Sequence, residues 1–118
     1  MNIQIFGTGK SFDTKKAERY FKERGIRCQM IDLKEKGISR GELISVIQSV
    51  HGIENLLDPS CRDQDALALV RYIADEQKLE KLLENPQVMK LPIVRNGKRA
   101  TVGYKPEIWK EWKDEANA

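Results

Sequence analysis

Sulfur and imidazole are scarce in this sequence: two cysteines and one histidine in 118 residues. Cys28 and Cys61 lie far apart and form no CxxC pair, so neither a disulfide framework nor a metal site is expected. His51 has no cysteine or carboxylate partner close to it in sequence. Long apolar runs are missing too. None approaches the roughly 20 residues that a membrane-spanning helix needs, and the opening MNIQIFGTGK has no apolar stretch of the kind found in a secretory leader. The expectation is a cytoplasmic protein without membrane contact. Charge of one sign is not massed either: 21 basic and 18 acidic residues are interspersed and leave a net charge of +3. That argues against direct nucleic-acid binding. There is no repeat, linker or low-complexity tract, and the length suits one core and not two, so residues 1–118 are expected to form a single domain.

What is present is ordinary globular material, 40% hydrophobic and 33% charged, punctuated clearly enough to be divided into elements. Residues 2–6 read as a strand and Gly7-Thr8-Gly9-Lys10 as a tight turn. Ser11 then opens a helix, FDTKKAERYFKER, that closes at Gly25 before a second strand, Arg27–Leu33. Ser39 and Glu42 have capping-box spacing ahead of Leu43, Ile44, Ile47 and Val50, which predicts a helix over about 40–50 ended by His51-Gly52. The turn-rich LLDPSCRDQD leads to a helical series carrying Leu67, Val70, Ile73 and Ala74, and a further short helix near 76–84 stops at Asn85-Pro86. Asn96-Gly97 between two strand-like runs predicts a hairpin with a type I′ turn. A last helix, Pro106–Glu115, sets Trp109 and Trp112 on one side for packing against the sheet. The order is β-α-β, helical insertion, β-hairpin, C-terminal helix. The expected fold is α/β with a mixed four-stranded sheet, in the thioredoxin-like arrangement.

The most informative residue is Ser11. A strand, the sequence GTGKS and a helix together invite a nucleotide-binding reading, but in the G-x-x-x-x-G-K-[ST] loop the glycine five residues before Gly9 would fall on Gln4, inside the strand. The loop is too short to wrap a phosphate chain. By itself Ser11 is a helix N-cap. A thiol in the same place would sit at the positive end of the helix macrodipole with its pKa lowered, whereas a serine hydroxyl there is no nucleophile unaided. Lys10, Lys15 and Lys16 would either help such a thiol or remain solvated. Cys28, inside a strand, reads as a small buried apolar residue. Cys61 lies in a polar stretch and is expected to be exposed.

Several of these motifs, in this order, resemble the arsenate reductase (ArsC) and Spx-like family of thioredoxin-fold proteins. The likeness runs through Gly7-Thr8-Gly9-Lys10-Ser11 and Lys16-Ala17, Asp32, Glu84-Asn85-Pro86, Leu91-Pro92-Ile93-Val94 and Val102-Gly103-Tyr104, nearly the whole chain. It implies thiol-dependent, glutaredoxin-related or arsenate reductase-type redox chemistry, with Ser11 in the place of the catalytic cysteine or selenocysteine and Thr14 where a CxxC member has its second cysteine. The serine is either native, a replacement of cysteine, or a replacement of selenocysteine; as written, the site should be redox-inactive. The likeness further implies substrate contacts from Gly9, Lys10, Thr14, Leu91, Pro92 and Lys105, with Pro92 in cis facing the site. Cys61 would be a resolving thiol. No bound cofactor is implied; glutathione or another small thiol would be the reductant, and a small thiol or protein disulfide the substrate. Leu91 and Asp58 stand where arsenate reductases present oxyanion-binding arginines, and Lys105 only partly replaces a third, so arsenate itself is disfavoured. The alternative is an Spx-like regulatory module without catalysis, whose partner would be RNA polymerase.

Overall fold

The computed structural model describes all 118 residues. Strands β1 (Ile3–Gly7), β2 (Cys28–Asp32), β3 (Ile93–Asn96) and β4 (Arg99–Val102) form one sheet in the order β2-β1-β3-β4. β1 and β2 are parallel, Ile5 beside Met30, and β1 and β3 are antiparallel, Ile5 beside Val94. The mixed sheet expected from the element order is the one found. Five helices flank it: α1 (Phe12–Glu23), α2 (Arg40–Ser49), α3 (Gln64–Tyr72), α4 (Asp75–Glu84) and α5 (Pro106–Ala116).

The two-residue period of the strands decides which helices lie on which face. Ile3, Ile5 and Val94 pack with Ala17, Tyr20 and Phe21 of α1 and with Trp109 and Trp112 of α5. Phe6, Ile31 and Ile93 point the other way, into a larger core with Leu43 and Val46 of α2, Leu67 and Val70 of α3, and Leu82 of α4. The helical insertion thus covers the face opposite α1 and α5. It is held by a capping box at its start, in which Glu42 N–H reaches Ser39 Oγ at 3.1 Å and Ser39 N–H reaches Glu42 Oε1 at 2.9 Å.

Local departures from the sequence reading have simple causes. The hairpin register pairs Asn96 with Arg99, so the central turn residues are Gly97 and Lys98, not Asn96 and Gly97. Gly97 has φ +63° while Lys98 is not among the residues of positive φ. That is the type II′ pattern, glycine first, and not I′, which needs positive φ at both positions. α3 ends at Tyr72 because Ile73 takes extended backbone (φ −72°, ψ 161°), and a new helix starts at Asp75 with acidic residues in its first turn.

One close approach fixes the start of α1 against the sheet. A Cβ at Gly7 would come within 2.4 Å of both Thr14 Cγ2 and Oγ1, and Thr14 is itself buried. Gly7→Ala is therefore expected to destabilise the fold by about 1–3 kcal/mol through overpacking. Adding Thr14→Ala should recover most of that loss in a urea titration; no recovery would mean the clash is not with Thr14.

Candidate functional site

α1 begins where β1 hands the chain over the top of the sheet. Ser11 has β-region backbone (φ −85°, ψ 116°), and its Oγ accepts the Thr14 N–H at 3.2 Å, so the cap is made by the residue at the candidate nucleophile position. Across from it the chain enters β3 through Leu91 and Pro92, whose peptide bond is cis. A second wall comes from residues 57–63. Leu57 bridges Met89 antiparallel, Asp58 N–H donates to Val88 O at 2.8 Å, and Lys90 N–H donates to Leu56 O at 2.8 Å. Between these pieces lies a cleft of about 820 Å³, within the usual range of small-molecule sites.

Of the residues singled out from sequence, Ser11, Lys10, Cys61 and Leu91 line this cleft, as does Asp58. Gly9 sits in the turn beside it with open space around its Cα. Thr14 supplies its N–H to Ser11, but its side chain is turned into the protein against Gly7, and its hydroxyl has no hydrogen-bond partner. Pro92 is buried behind Leu91, its carbonyl accepting Gly103 N–H at 2.9 Å. Lys105 is exposed at the start of α5 and does not line the cleft.

The expectation that Cys61 is exposed is corrected: it is 8% exposed and belongs to the larger core. The turn closed by Cys61 N–H on Asp58 O at 3.1 Å folds its side chain inward, although its neighbours are polar. Burial raises the pKa of this thiol, and the Asp58 carboxylate raises it further. Less thiolate at neutral pH means slower nucleophilic reaction. Cys61 should therefore label with iodoacetamide at pH 7 more slowly than a free peptide cysteine, and Asp58→Asn should speed it. Equal or faster labelling of the native thiol would contradict this account. Cys28, at the start of β2, is half-buried, and desolvation raises its thiol likewise.

Sequence reasoning missed Phe12, which is 81% exposed at the rim beside Ser11, and the contributions of Leu33, Met89, Lys34, Arg62 and Lys90. An exposed aromatic at a helix start breaks the helical pattern, and that was the one available signal. Leu33 and Lys34 reach the cleft from the end of β2, where Leu33 N–H donates to Gly7 O at 3.0 Å. Met89, Lys90 and Arg62 reach it through the segments joined by the Leu57–Met89 bridge, which has no periodicity to read. Asp63, also on the cleft, caps α3: its Oδ1 accepts Ala66 N–H at 3.0 Å and its Oδ2 the Gln87 amide at 2.9 Å, and these hold its carboxyl below the usual range.

A helix capped by the candidate nucleophile, facing a cis-proline strand in a β2-β1-β3-β4 sheet, places the chain among thioredoxin-like folds. More closely, it belongs to the ArsC family, whose profile matches residues 6–112. It is 28% identical over 131 residues to "Global transcriptional regulator Spx 2" of Oceanobacillus iheyensis, covering 96% of this chain and 94% of that one. It is 22% identical over 116 residues to the uncharacterized protein YusI of Bacillus subtilis, covering 94% and 98%. The solved arsenate reductase from Vibrio cholerae shares the fold with a TM-score of 0.79 at 22% identity, over 94% of this chain and 97% of that one. No helix is long and apolar enough to cross a membrane.

Proposed function

We propose that this protein is an ArsC-family thiol oxidoreductase frame that is redox-silent with serine at position 11. The observation that carries this reading is the Ser11 cap: its Oγ already holds the Thr14 N–H at a helix start, on a cleft shared with Leu91 and Cys61. A thiolate at position 11 would attack one sulfur of a disulfide, forming a mixed disulfide and releasing the other sulfur as thiolate. A small thiol such as glutathione would then attack the substrate-derived sulfur, leaving with it as a new mixed disulfide and freeing the position 11 thiolate. Attack by Cys61 on the position 11 sulfur would instead release the substrate thiolate and form a disulfide between positions 11 and 61, which two small thiols would reduce. No bound cofactor takes part, and the work is placed in the cytoplasm, where small thiols keep cysteines reduced. Substrates would be small disulfides or the disulfides of a partner protein. The test is reduction of hydroxyethyl disulfide by glutathione. The native chain should give only the background rate and Ser11→Cys a rate clearly above it. A native chain as active as the variant, or a folded variant with no activity, would end this reading.

The second reading is a regulatory module that binds RNA polymerase without catalysis. The 28%-identical relative named as a transcriptional regulator favours it, and it needs no nucleophile, so a native Ser11 suits it. Co-elution of the native chain with purified polymerase in size-exclusion chromatography would support it; separate elution at micromolar concentrations would count against it.

A further inference from the structure

Seven charged side chains line the cleft, and none takes part in any of the protein's ion pairs. Outside the cleft only about half of the charged side chains are paired, so unpaired charge is not unusual in this chain. What sets the cleft apart is that all seven converge on one cavity, open to a ligand. The two signs are not equally placed. Lys10, Lys34, Arg62 and Lys90 are all exposed, whereas Asp13 and Asp58 are half-buried. Water and salt screen the exposed cations, and the partly desolvated carboxylates weigh more in the field felt by a ligand within.

The acids differ among themselves. Asp63 has both oxygens occupied, by Ala66 N–H and the Gln87 amide. Asp13 sits in the first turn of α1, where the helix dipole already favours its charge. Asp58 has neither arrangement. Its backbone is fixed at both ends, its N–H on Val88 O and its carbonyl holding Cys61 N–H. Its Oδ1 accepts Ser60 N–H at 2.9 Å, and its second oxygen has no protein partner. It is a positioned, half-buried, unpaired carboxylate on the same cleft as Ser11, beside apolar surface from Leu91, Met89 and Leu33. Such a group is stabilised by a ligand cation more than a solvated one would be.

We infer that Asp58 is the specificity-determining residue of the cleft, selecting ligands that carry an ammonium or guanidinium group close to the sulfur presented to position 11. This rests on the redox reading of that position. The ligand class is an amine-bearing thiol or disulfide, or a peptide segment with a basic residue next to its cysteine. An anionic disulfide of the same size is disfavoured, despite the lysines on the rim.

Three small disulfides separate charge from shape: cystamine (cationic), hydroxyethyl disulfide (neutral) and dithiodipropionate (anionic). In the native chain, backbone amide NMR shifts of Ser11, Asp58, Ser60 and Cys61 should respond to cystamine at concentrations where dithiodipropionate leaves them unmoved. Asp58→Asn, which keeps the acceptor for Ser60 N–H, should abolish the difference. In Ser11→Cys, mixed-disulfide formation at position 11 can be followed by mass spectrometry, each rate divided by that of the same disulfide with free mercaptoethanol. That ratio should favour cystamine over dithiodipropionate by about fivefold to tenfold, as for one charge-assisted contact, and Asp58→Asn should bring it near one. Equal responses, or a preference for the anionic disulfide, in the native chain would overturn the inference. The two failures separate cleanly. A thiol variant that reacts with all three disulfides without preference removes the role of Asp58 and leaves the redox reading standing. A variant that reacts with none removes the redox reading, while the shift titration of the native chain still decides the ligand charge.

Discussion

A cysteine introduced at position 11 is expected to titrate about one unit below the roughly 8.5 of a free thiol. The cause is local. The Thr14 N–H that now lies 3.2 Å from Ser11 Oγ would donate to the thiolate, and the N-terminus of α1 favours negative charge by about 0.3–2 kcal/mol. At about 1.4 kcal/mol per unit that amounts to as much as one and a half units. Asp13 and the half-buried Asp58 oppose it and should take back part. Near pH 7 the thiolate fraction then rises from about 3% to about a quarter. The sign extends to stability: a pKa depressed in the folded state adds stability above the unfolded value, and this is lost as pH falls through the folded pKa. Relative to the native chain, the variant should therefore gain in urea midpoint between pH 6 and pH 9. Thiolate absorbance against pH, with Cys28→Ala and Cys61→Ala in the background, measures the pKa directly. A value of 8.5 or higher would show that the two carboxylates outweigh the helix, and the frame could not then be called activating.

Much of this site could be read from the sequence because its parts are local. Ser11 follows a strand and precedes an amphipathic helix, so its capping role needs only neighbours within three residues. The β-α-β unit and the hairpin carry their own turn signals. From these a mixed four-stranded sheet follows, with a parallel pair at its start and an antiparallel pair from the hairpin, although not the order in which the strands lie. What could not be read depends on long-range pairing. The Leu57–Met89 bridge joins two loops some thirty residues apart and brings Asp58, Cys61 and Lys90 to the cleft. The polar neighbours of Cys61 suggest exposure, yet the chain turns at 58–61 and its side chain lies in the larger core. The hairpin turn slipped by one residue for a similar reason: register is set by which residues of β3 and β4 face which core, and that places Gly97 first and not second. Lys105 was matched by position in sequence alone, and the start of α5 holds it away from the cleft.

The face behind the site leads to the second large effect. Trp109 of α5 is fully buried, and it is what joins α5 to α1, the helix that Ser11 caps. Its ring lies 5.3 Å from Tyr20 and 5.4 Å from Tyr104, both edge-on, and 5.1 Å from Phe21 in a tilted arrangement. Its indole N–H donates to Thr101 Oγ1 at 2.8 Å, which satisfies the one polar atom of each partner in a dry interior. Trp109→Ala removes the ring and leaves a cavity between α1, α5 and the sheet, and it orphans the Thr101 hydroxyl. The expected loss is about 3–5 kcal/mol, a large share of the roughly 5–15 kcal/mol that holds a domain folded. Trp109→Phe keeps the aromatic contacts and should lose about 1–2 kcal/mol, the part belonging to the hydrogen bond and the smaller ring. Urea titrations should show both as shifts in midpoint with little change in slope. Because Tyr20 and Phe21 lie at the far end of α1 from Ser11, the Phe variant should leave the pKa of a cysteine at position 11 unchanged. A moved pKa would mean that the tilt of the whole helix, and not the first turn held by Gly7 and Thr14, sets the geometry of the site.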